Sequence, residues 1–290
     1  MIKSHNPYAK ALDGLDIPNP VKSFFNFCIE REKIRKKREQ GLPHPWTDDE
    51  IFKNARFLNV FREDDRGSKA ILRFGNNLNG DLETLIQALF FARWCNRQET
   101  LDNITTKMLF TPKKFLDRLK NNEGWCNTTA YPVESIYWDG KKYSRIDAAT
   151  ILFFKIKRYL ADIIQRSEGK IITATKSVNK HFKMKNDFPI FMAITDIAWF
   201  RPDIINPASP VPTGIGAVAY LDRLQEYLGL DNHESTCKKM IELQKEYWPD
   251  AKRKFHPIDI EYLSCECRKY YSYINKTKLF EGKNIFIPKF

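Results

Sequence analysis

Five polar side chains recur at helical spacing between residues 256 and 270. They are Asp259, Tyr262, Glu266, Lys269 and Tyr270, which fall close to one side of a helix. By spacing, Glu266 can pair with Lys269 or with Tyr270. Carboxylates in a basic protein are suited to act as a general base or as metal ligands. The alternative is that Asp259 caps the helix and that the other groups form surface pairs.

Two pairs of arginines stand at i, i+4 spacing. Arg62 and Arg66 flank three carboxylates after an apolar segment, and they share a face if a helix continues there. Arg93 and Arg97 follow a very apolar segment. Two guanidinium groups on one face can fork around a phosphate. The alternative for the first pair is an exposed, ion-paired helix end. For the second pair it is cations that complement a helix dipole.

Two further features suit contact with a phosphate backbone. Three prolines within residues 207–212 precede Thr213-Gly214-Ile215-Gly216, and a helix is expected after them. Glycines allow a backbone to approach a ligand, N–H groups at a helix start bind phosphate, and helix-hairpin-helix elements use a similar G-x-G turn. Residues 31–39 are rich in Lys and Arg, which can line a phosphate groove. The alternatives are a plain turn and a solvated helix face.

The composition limits the classes of protein that fit. The chain has 290 residues, 42% hydrophobic and 29% charged, which excludes disordered and membrane classes. Lys and Arg number 48 against 36 Asp and Glu, so the formal net charge is +12. This surplus favours a polyanion such as DNA, RNA or a phosphorylated substrate. No Walker A sequence is present, which excludes a kinase of the phosphate-loop type.

The cysteines and the N-terminus indicate a cytoplasmic protein. Of six cysteines only Cys265 and Cys267 lie close together, and no C-x-x-C pair predicts a zinc site. The first residues lack the apolar core of a secretory signal, and no apolar run approaches the ~18 residues of a membrane-spanning helix. We therefore expect a cytoplasmic location and reduced thiols.

Apolar periodicity predicts an all-α fold. Val21, Phe24, Phe25 and Cys28 form one stripe of a helix that ends near residue 41, and Thr47 with Glu50 predicts a capping box. Further helices are expected at residues 51–61, 80–98, 112–121, 146–166, 188–200, 217–230, 235–248 and 257–275. We expect one mostly helical catalytic domain over residues 21–275. An irregular lead-in over residues 1–20 precedes it, and an extended tail over residues 276–290 follows it.

Five motifs occur in order along the chain. The first two are E-R-x-x-I-x-x-R/K (Glu30, Arg31, Ile34, Lys37) and G-x-P-x-P-W-T-x-D-x-I (Gly41, Pro43, Pro45, Trp46, Thr47, Asp49, Ile51). The next two are F-x-N-V-x-R-E-x-D-R (Phe57, Asn59, Val60, Arg62, Glu63, Asp65, Arg66) and R-x-x-N-R-x-E-T (Arg93, Asn96, Arg97, Glu99, Thr100). The last is D-I-E-x-x-x-C-E-x-x-K-Y (Asp259, Ile260, Glu261, Cys265, Glu266, Lys269, Tyr270). Together they resemble the α-glutamyl/putrescinyl thymine pyrophosphorylases of DNA hypermodification. The chain is also similar to the helical domain of some 5-hydroxymethyluridine DNA kinases.

The resemblance implies a fold, a reaction and partners. The fold is a helical one related to the helix-hairpin-helix DNA glycosylases. The substrate is double-stranded DNA in which the 5-methyl group of a thymine carries pyrophosphate, and an amine from an amino acid or a polyamine displaces that pyrophosphate. A 5-hydroxymethyluridine DNA kinase is an implied partner, and a bacteriophage acting in the host cytoplasm is the implied source.

The resemblance and the chemistry together assign roles to the motif residues. The attacking amine is mostly protonated near neutral pH, so a carboxylate must accept a proton, and the candidates are Glu63, Asp259, Glu261 and Glu266. Cys265 could add to the pyrimidine C6, and its alternative is a buried thiol. The candidates for binding pyrophosphate, with or without a divalent metal such as Mg²⁺, are Arg62, Arg66, Arg93, Arg97 and Lys269. The candidates for binding DNA are Thr213, Gly214, Gly216, Arg35, Lys36, Lys37 and Arg38. The remaining motif residues of interest are Asn59, Asn96, Trp46 and Tyr270.

Two other functions fit the same residues. The first is a helix-hairpin-helix DNA glycosylase that acts on modified pyrimidines, with Asp259 as the acid that assists base loss. The second is a non-catalytic DNA-binding partner of a base kinase.

Overall fold

The computed structural model of the chain describes residues 8, 10–76, 78, 81–122, 124–128 and 133–276. The chain divides into two compact units. Unit 1 is formed by Met1–Asp64 and Val211–Phe290, and unit 2 by Asp65–Pro210. Residues 10–19 form turns and irregular chain before the first helix. The tail predicted over residues 276–290 lies outside the described residues apart from Lys276.

The described residues are mostly helical, which confirms the predicted all-α class. The helices are α1 (Pro20–Glu39), α2 (Glu50–Asn54), α3 (Arg66–Asn76), α4 (Leu82–Cys95), α5 (Gln98–Asp102), α6 (Pro112–Lys120), α7 (Arg145–Asp147), α8 (Phe153–Gln165), α9 (Ile171–Phe182), α10 (Phe188–Phe200), α11 (Val218–Leu228), α12 (His233–Tyr247) and α13 (Pro257–Ile274). Short 3-10 segments occupy Arg62–Asp64 and Thr106–Phe110, and a π-helical turn occupies Ala148–Leu152. Strands β1 (Ile136–Trp138) and β2 (Lys141–Tyr143) form an antiparallel hairpin. Within the described ranges, no helix is long and apolar enough to cross a bilayer.

Unit 1 is built around α13, which packs against α1, α11 and α12. The predicted stripe of α1 is confirmed, because Val21, Phe24, Phe25 and Cys28 are all buried in the core of this unit. Helix α1 begins where the sequence favours a start: Pro20 occupies the first turn, and the Asn19 side chain accepts the N–H of Lys22. Burying aromatic and aliphatic side chains on such a stripe stabilises a unit by roughly 1.5–3 kcal/mol per side chain.

The helix predicted after residue 47 is shorter than expected, and its cap is a different residue. Asp49 caps α2 by accepting the N–H groups of Ile51 and Phe52, whereas the Thr47 hydroxyl donates to Glu30. The predicted Thr47–Glu50 capping box is therefore wrong, because Glu30 engages the threonine hydroxyl. Helix α2 ends at Asn54, and Leu58, expected in a buried helical stripe, is 42% exposed.

Unit 2 is centred on α4, which packs against α8 and α10. Its core is aromatic: Phe90, Trp94, Phe153 and Phe182 form stacked and edge-to-face contacts with centroids 4.9–6.3 Å apart. The helices predicted near residues 80–98, 112–121, 146–166 and 188–200 are confirmed. Helix α9 was not predicted, although Ile171, Val178 and Phe182 place apolar residues along its buried stripe at helical spacing.

Candidate active site

The candidate catalytic residues of α13 lie on two faces of that helix. Asp259 and Glu266 are seven residues apart and share one face, while Glu261 and Cys265 are four apart and share another. The three carboxylates are buried, and Cys265 is half-buried. The motif therefore contributes to two separate environments within unit 1.

On the first face, two candidate bases bind one guanidinium group. Arg253 contacts Glu63 through Nε–Oε1 and Nη2–Oε2 distances of 2.9 and 2.8 Å. Its Nη1 and Nη2 donate to the Asp259 carboxylate at 2.6 and 3.1 Å. Asp259 also accepts the His256 N–H at 2.8 Å, which is the capping role left open by the sequence. These contacts hold the 3-10 segment Arg62–Asp64 against the start of α13.

The environment of Glu63 makes it a weak base. Burial acts to raise its pKa, but the hydrogen bonds and the charge of Arg253 outweigh burial and lower the pKa to about 2. Lys252 adds a second cation at 3.3 Å from Glu63. At neutral pH Glu63 is an ion-paired carboxylate, so it has little tendency to accept a proton from an amine.

Glu266 and Lys269 form the pair that their spacing predicted. The Nζ atom of Lys269 lies 2.8 Å from Glu266 Oε2 and 4.9 Å from the centroid of the Phe57 ring. Glu266 also accepts the Leu58 N–H at 2.8 Å. Both charged groups thus help to bind the non-helical segment after α2 to α13.

On the second face, Glu261 is buried beside the Gly214 turn. Burial raises the pKa of Glu261 to about 7, while the Gly214 N–H, which donates at 2.9 Å, and the charge of Arg62 act in the opposite direction. A carboxyl group with this pKa exchanges a proton readily near neutral pH. The structure thus places Glu261, the Gly214 turn and the charge of Arg62 in one environment, which we call the Glu261 corner.

The two glycines of the predicted turn are explained by close packing on α13. A Cβ atom on Gly216 would lie 2.7 Å from Cys265 Sγ, and one on Gly214 would lie 2.9 Å from Glu261 Oε1. The Gly216 carbonyl accepts Arg268 Nε at 3.1 Å. Thr213 Oγ1 lies 3.2 Å from His233 Nδ1. The turn therefore positions Glu261 through the Gly214 N–H, and its role in DNA binding stays a prediction.

Replacing Gly216 by alanine is expected to destabilise the protein by about 1–3 kcal/mol, because the new methyl group overlaps Cys265 Sγ and cannot be accommodated without movement. Gly67→Ala is the control: nothing lies within 4 Å of the added Cβ at this position in α3, so a change within about 1 kcal/mol is expected. Urea unfolding measures both free energies. Equal free energies of unfolding for the two variants would contradict the close packing of the turn.

Cys265 lies in the same corner and is a neutral thiol. Burial raises the pKa of Cys265, and the nearby Arg268 charge lowers it by a smaller amount. Arg268 Nη2 lies 3.4 Å from Cys265 Sγ, and the Arg268 guanidinium stacks 4.1 Å from the ring centroid of Tyr8. Because the thiolate is the nucleophilic form, these surroundings favour the alternative of a buried thiol.

The arginine pair at residues 62 and 66 does not share a helix face. Arg62 lies in the 3-10 segment of unit 1, while Arg66 begins α3 in unit 2. A bend at Asp65 interrupts the helix that the i, i+4 argument required.

Arg66 and Arg97 instead converge on Glu99 within unit 2. Arg66 Nη2 lies 2.9 Å and Arg97 Nε 3.4 Å from the Glu99 carboxylate, and all three side chains are exposed. Arg97 also donates to the Gly124 carbonyl. Two guanidinium groups that bind one carboxylate can also bind another anion, such as a phosphate, in its place.

Arg93 has a buried carboxylate partner. Its Nε and Nη2 atoms lie 2.5 and 2.7 Å from the two oxygens of Asp196, in a bidentate pair that joins α4 to α10. Both side chains are less than a tenth exposed. This contact gives Arg93 a structural role in unit 2.

The basic run in α1 contains residues of two kinds. Arg35 is buried and hydrogen-bonded to Glu32 and Glu39, and these contacts raise its pKa. Lys36 and Arg38 are exposed, and the Lys37 Nζ donates to the Trp46 carbonyl at 2.7 Å. Of these predicted DNA-binding residues, Arg35 thus has the surroundings of an internal ion pair.

The other motif residues hold the chain in place. Asn59 accepts Arg31 Nη2 at 2.6 Å and donates to the Asp64 carbonyl at 2.8 Å. The remaining three are Trp46, which donates to the Leu42 carbonyl at 2.7 Å, Tyr270, which donates to Asp49 at 2.5 Å, and Asn96, the left-handed residue that ends α4. Asn59 and Tyr270 thus connect segments that are distant in sequence, whereas the contacts of Trp46 and Asn96 are local.

Two residues of this region were not identified from the sequence. Arg253 joins Glu63 to Asp259, and Arg268 joins Cys265 to the glycine turn. Arg253 lies in irregular chain before α13, where no periodicity marks it. Arg268 could have been found from its i, i+7 spacing to Glu261.

The part of the chain that the structure describes contains no group of three or more His, Cys, Asp and Glu placed to hold a metal ion. Three neighbouring carboxylates, Glu63, Asp64 and Asp259, contact Arg253 and Lys252.

Comparison with known proteins gives one family. The family model described as "5-hmdU DNA kinase, helical domain" matches residues 19–278, which span both units. The similarity to that helical domain predicted from the sequence is thereby confirmed. No curated protein and no solved structure matches the chain.

Proposed function

This chain belongs to the family of 5-hmdU DNA kinase helical domains, and on that premise we propose that it acts in the hypermodification of thymine in DNA. Its reaction is the displacement of pyrophosphate from 5-pyrophosphoryloxymethyl-deoxyuridine by an amine. The 290 residues contain no Walker A sequence, so the chain is not assigned the kinase step. The net charge of +12 suits a DNA substrate.

The observation that carries this proposal is the burial of Glu261 against the Gly214 turn, where the Gly214 N–H donates to its carboxylate at 2.9 Å and burial raises its pKa to about 7. Amines of amino acids and polyamines have pKa values of about 8–10, so they must lose a proton before or during attack. An ordinary carboxylate, with a pKa near 4.3, is a poor acceptor for that proton. Glu261 is a stronger base and is already charged in half of the molecules near neutral pH.

In the proposed displacement of pyrophosphate by an amine, Glu261 accepts the proton that the amine loses. The nitrogen lone pair of the amine forms a bond to the 5-methylene carbon, and the carbon–oxygen bond breaks with its electron pair going to pyrophosphate. The nitrogen then carries an extra proton, which passes to the Glu261 carboxylate. Direct displacement of this kind needs no thiolate, in agreement with the neutral state of Cys265.

The departing pyrophosphate carries several negative charges, so cations must lie near it. Arg62 suits this role because its charge already acts on Glu261. Arg66 and Arg97 belong to unit 2, where they converge on the exposed Glu99, and their role in binding pyrophosphate stays a prediction.

The proposal is tested with duplex DNA that carries 5-pyrophosphoryloxymethyluracil. The chain is expected to release pyrophosphate and to add the amine to the base in equal amounts, with candidate amines drawn from amino acids and polyamines. Mass spectrometry of the nucleosides and an enzymatic pyrophosphate assay measure the two products. Abasic sites in place of the adduct would instead identify a glycosylase, and intact DNA with every amine would indicate a non-catalytic DNA-binding protein.

A further inference from the structure

One surface of unit 2 combines aromatic rings with a high density of positive charge. It is formed by the β1–β2 hairpin, α8 and α9. Trp138 of β1, Tyr159 of α8 and His181 of α9 pack together, with ring centroids 5.1–5.6 Å apart. The Tyr159 hydroxyl lies 3.2 Å from His181 Nε2. The three elements thus form one continuous surface, which we call the hairpin surface.

Two tyrosines of the hairpin surface are open to solvent. Tyr159 is 42% and Tyr137 is 44% exposed. Tyr137 alternates with the buried Ile136 along β1, so its ring points away from the core, and its register partner on β2 is Lys142. Exposed tyrosines beside lysines are common where a protein contacts nucleic acid, because the rings pack on sugars and bases.

The charge of this surface is strongly positive. The hairpin, α8 and α9 carry seven Lys and Arg against two Asp and Glu. The cations are Lys141, Lys142, Lys155, Lys157, Arg158, Lys176 and Lys180, and the acids are Asp139 and Asp162. Lys176 and Lys180 are exposed at i, i+4 on α9, and Lys155 is exposed at i−4 from Tyr159 on α8.

Most of these cations have no acidic neighbour among the described residues, whereas the charge of Lys157 acts on Asp81. As far as the structure describes the chain, none of the seven forms an ion pair with a carboxylate. By contrast, three cations of unit 1, namely Arg35, Lys252 and Arg253, are bound to acids. An unneutralised basic surface attracts a polyanion and releases its counterions on binding.

We propose that the hairpin surface binds the phosphate backbone of DNA and so docks the substrate on unit 2. The inference rests on the proposed function for the choice of DNA as the polyanion. Lys142, Lys155 and Lys180, one from each element, contact phosphates, while Tyr137 and Tyr159 pack against the sugars of the backbone. None of these residues belongs to the Glu261 corner or to the motifs found in the sequence.

The test is a fluorescence anisotropy titration of a 20-base-pair duplex of unmodified DNA at several salt concentrations. The triple variant Lys142→Gln, Lys155→Gln, Lys180→Gln is expected to bind at least about 10-fold more weakly near 0.15 M salt. The slope of log K against log salt should fall in magnitude by about 2–3, at about 0.9 per lost phosphate contact. Tyr137→Ala should weaken binding without changing this slope, because it removes no charge.

The matched control is Lys238→Gln, Lys239→Gln, Lys245→Gln on the exposed side of α12, which makes the same change in net charge. The control is expected to retain wild-type affinity within about 2-fold, since the lysines lie far in sequence from the hairpin surface and only net charge changes. Equal losses in the two triple variants, or an unchanged slope in the first, would overturn the proposal. Tighter binding of an RNA duplex than of the DNA duplex would also overturn it.

Failure of this proposal is distinguishable from failure of the proposed function. The titration uses DNA without pyrophosphate and without an amine, so it reports docking alone. If docking is correct and the transferase is not, the salt slope changes as expected although no product forms. If the transferase is correct and docking is not, the triple variant turns over modified DNA with an unchanged KM, whereas docking predicts a raised KM and an unchanged kcat.

Discussion

Replacing Arg253 by methionine is expected to destabilise the protein by about 3–5 kcal/mol. The change leaves two carboxylates without their shared guanidinium, and the Asp259 side chain is 1% exposed. Removing one partner of a buried ion pair costs this much because the remaining charge stays desolvated. Urea unfolding at pH 7 measures the loss.

Lys252→Met is the matched control for Arg253→Met. Lys252 also contacts this cluster, through Glu63 and Asp64, but its side chain is 42% exposed. An exposed ion pair contributes about 0–1 kcal/mol, so the control should lose no more than that. Similar losses in the two variants would contradict a buried Arg253 cluster.

The pH dependence of stability checks the same cluster. The pKa of Glu63 is lowered to about 2 in the folded chain, against about 4.3 for a free glutamate. The stabilisation is therefore present above pH 4.3, and it is lost as the pH falls through the window from about 4.3 to 2. In Arg253→Met, the free energy of unfolding should decrease less within that window than it does in the wild type. An equal decrease in the two proteins would show that groups other than Glu63 cause it.

Replacing Glu261 by glutamine is expected to slow amine transfer by about 10²–10⁴-fold, which is the usual contribution of a general base. The amide keeps an oxygen that can accept the Gly214 N–H but cannot take a proton. The rate of pyrophosphate release in a single turnover measures the effect. Glu246→Gln, at an exposed position of α12, is the control and should leave the rate unchanged.

The same variant should be more stable than the wild type at alkaline pH. Burial raises the pKa of Glu261 to about 7, so the folded chain holds this proton more tightly than the unfolded chain does. The wild type therefore loses stability as the pH rises from about 4.3 to 7, and Glu261→Gln removes that loss. We expect a gain of up to about 3 kcal/mol at pH 8 and little change at pH 4. A large loss of stability at pH 8 would indicate a structural role.

Local sequence patterns predicted most of the helices, because the spacing of apolar residues that marks a helix lies within the helix itself. The stripe of α1 and the spacing of Asp259, Glu266 and Lys269 on α13 each follow from helix geometry alone. Helix α9 was missed although its buried stripe, which includes Ile171, Val178 and Phe182, follows the same geometry. The cap of α2 was misassigned because Glu30, far away in sequence, engages the Thr47 hydroxyl.

The partners of the candidate residues could not be predicted, because no spacing encodes them. Arg93 and Asp196 are 103 positions apart, and Arg253 and Glu63 are 190 apart. From the sequence alone, the four candidate bases could not be ranked; they are Glu63, Asp259, Glu261 and Glu266. Burial and charge separate them, since Arg253 lowers the pKa of Glu63 and burial without a direct cation raises that of Glu261.

The most direct test of Glu261 as the base is the pH profile of pyrophosphate release in a single turnover, compared between the wild type and Glu261→Gln. Deprotonation of the amine affects both proteins equally. The ratio of the wild-type rate to the Glu261→Gln rate therefore reports the protonation of Glu261 alone. This ratio is expected to rise with pH to a plateau, with its midpoint near pH 7. A ratio that stays constant from pH 5 to 9, or the absence of amine-dependent pyrophosphate release at every pH, would contradict it.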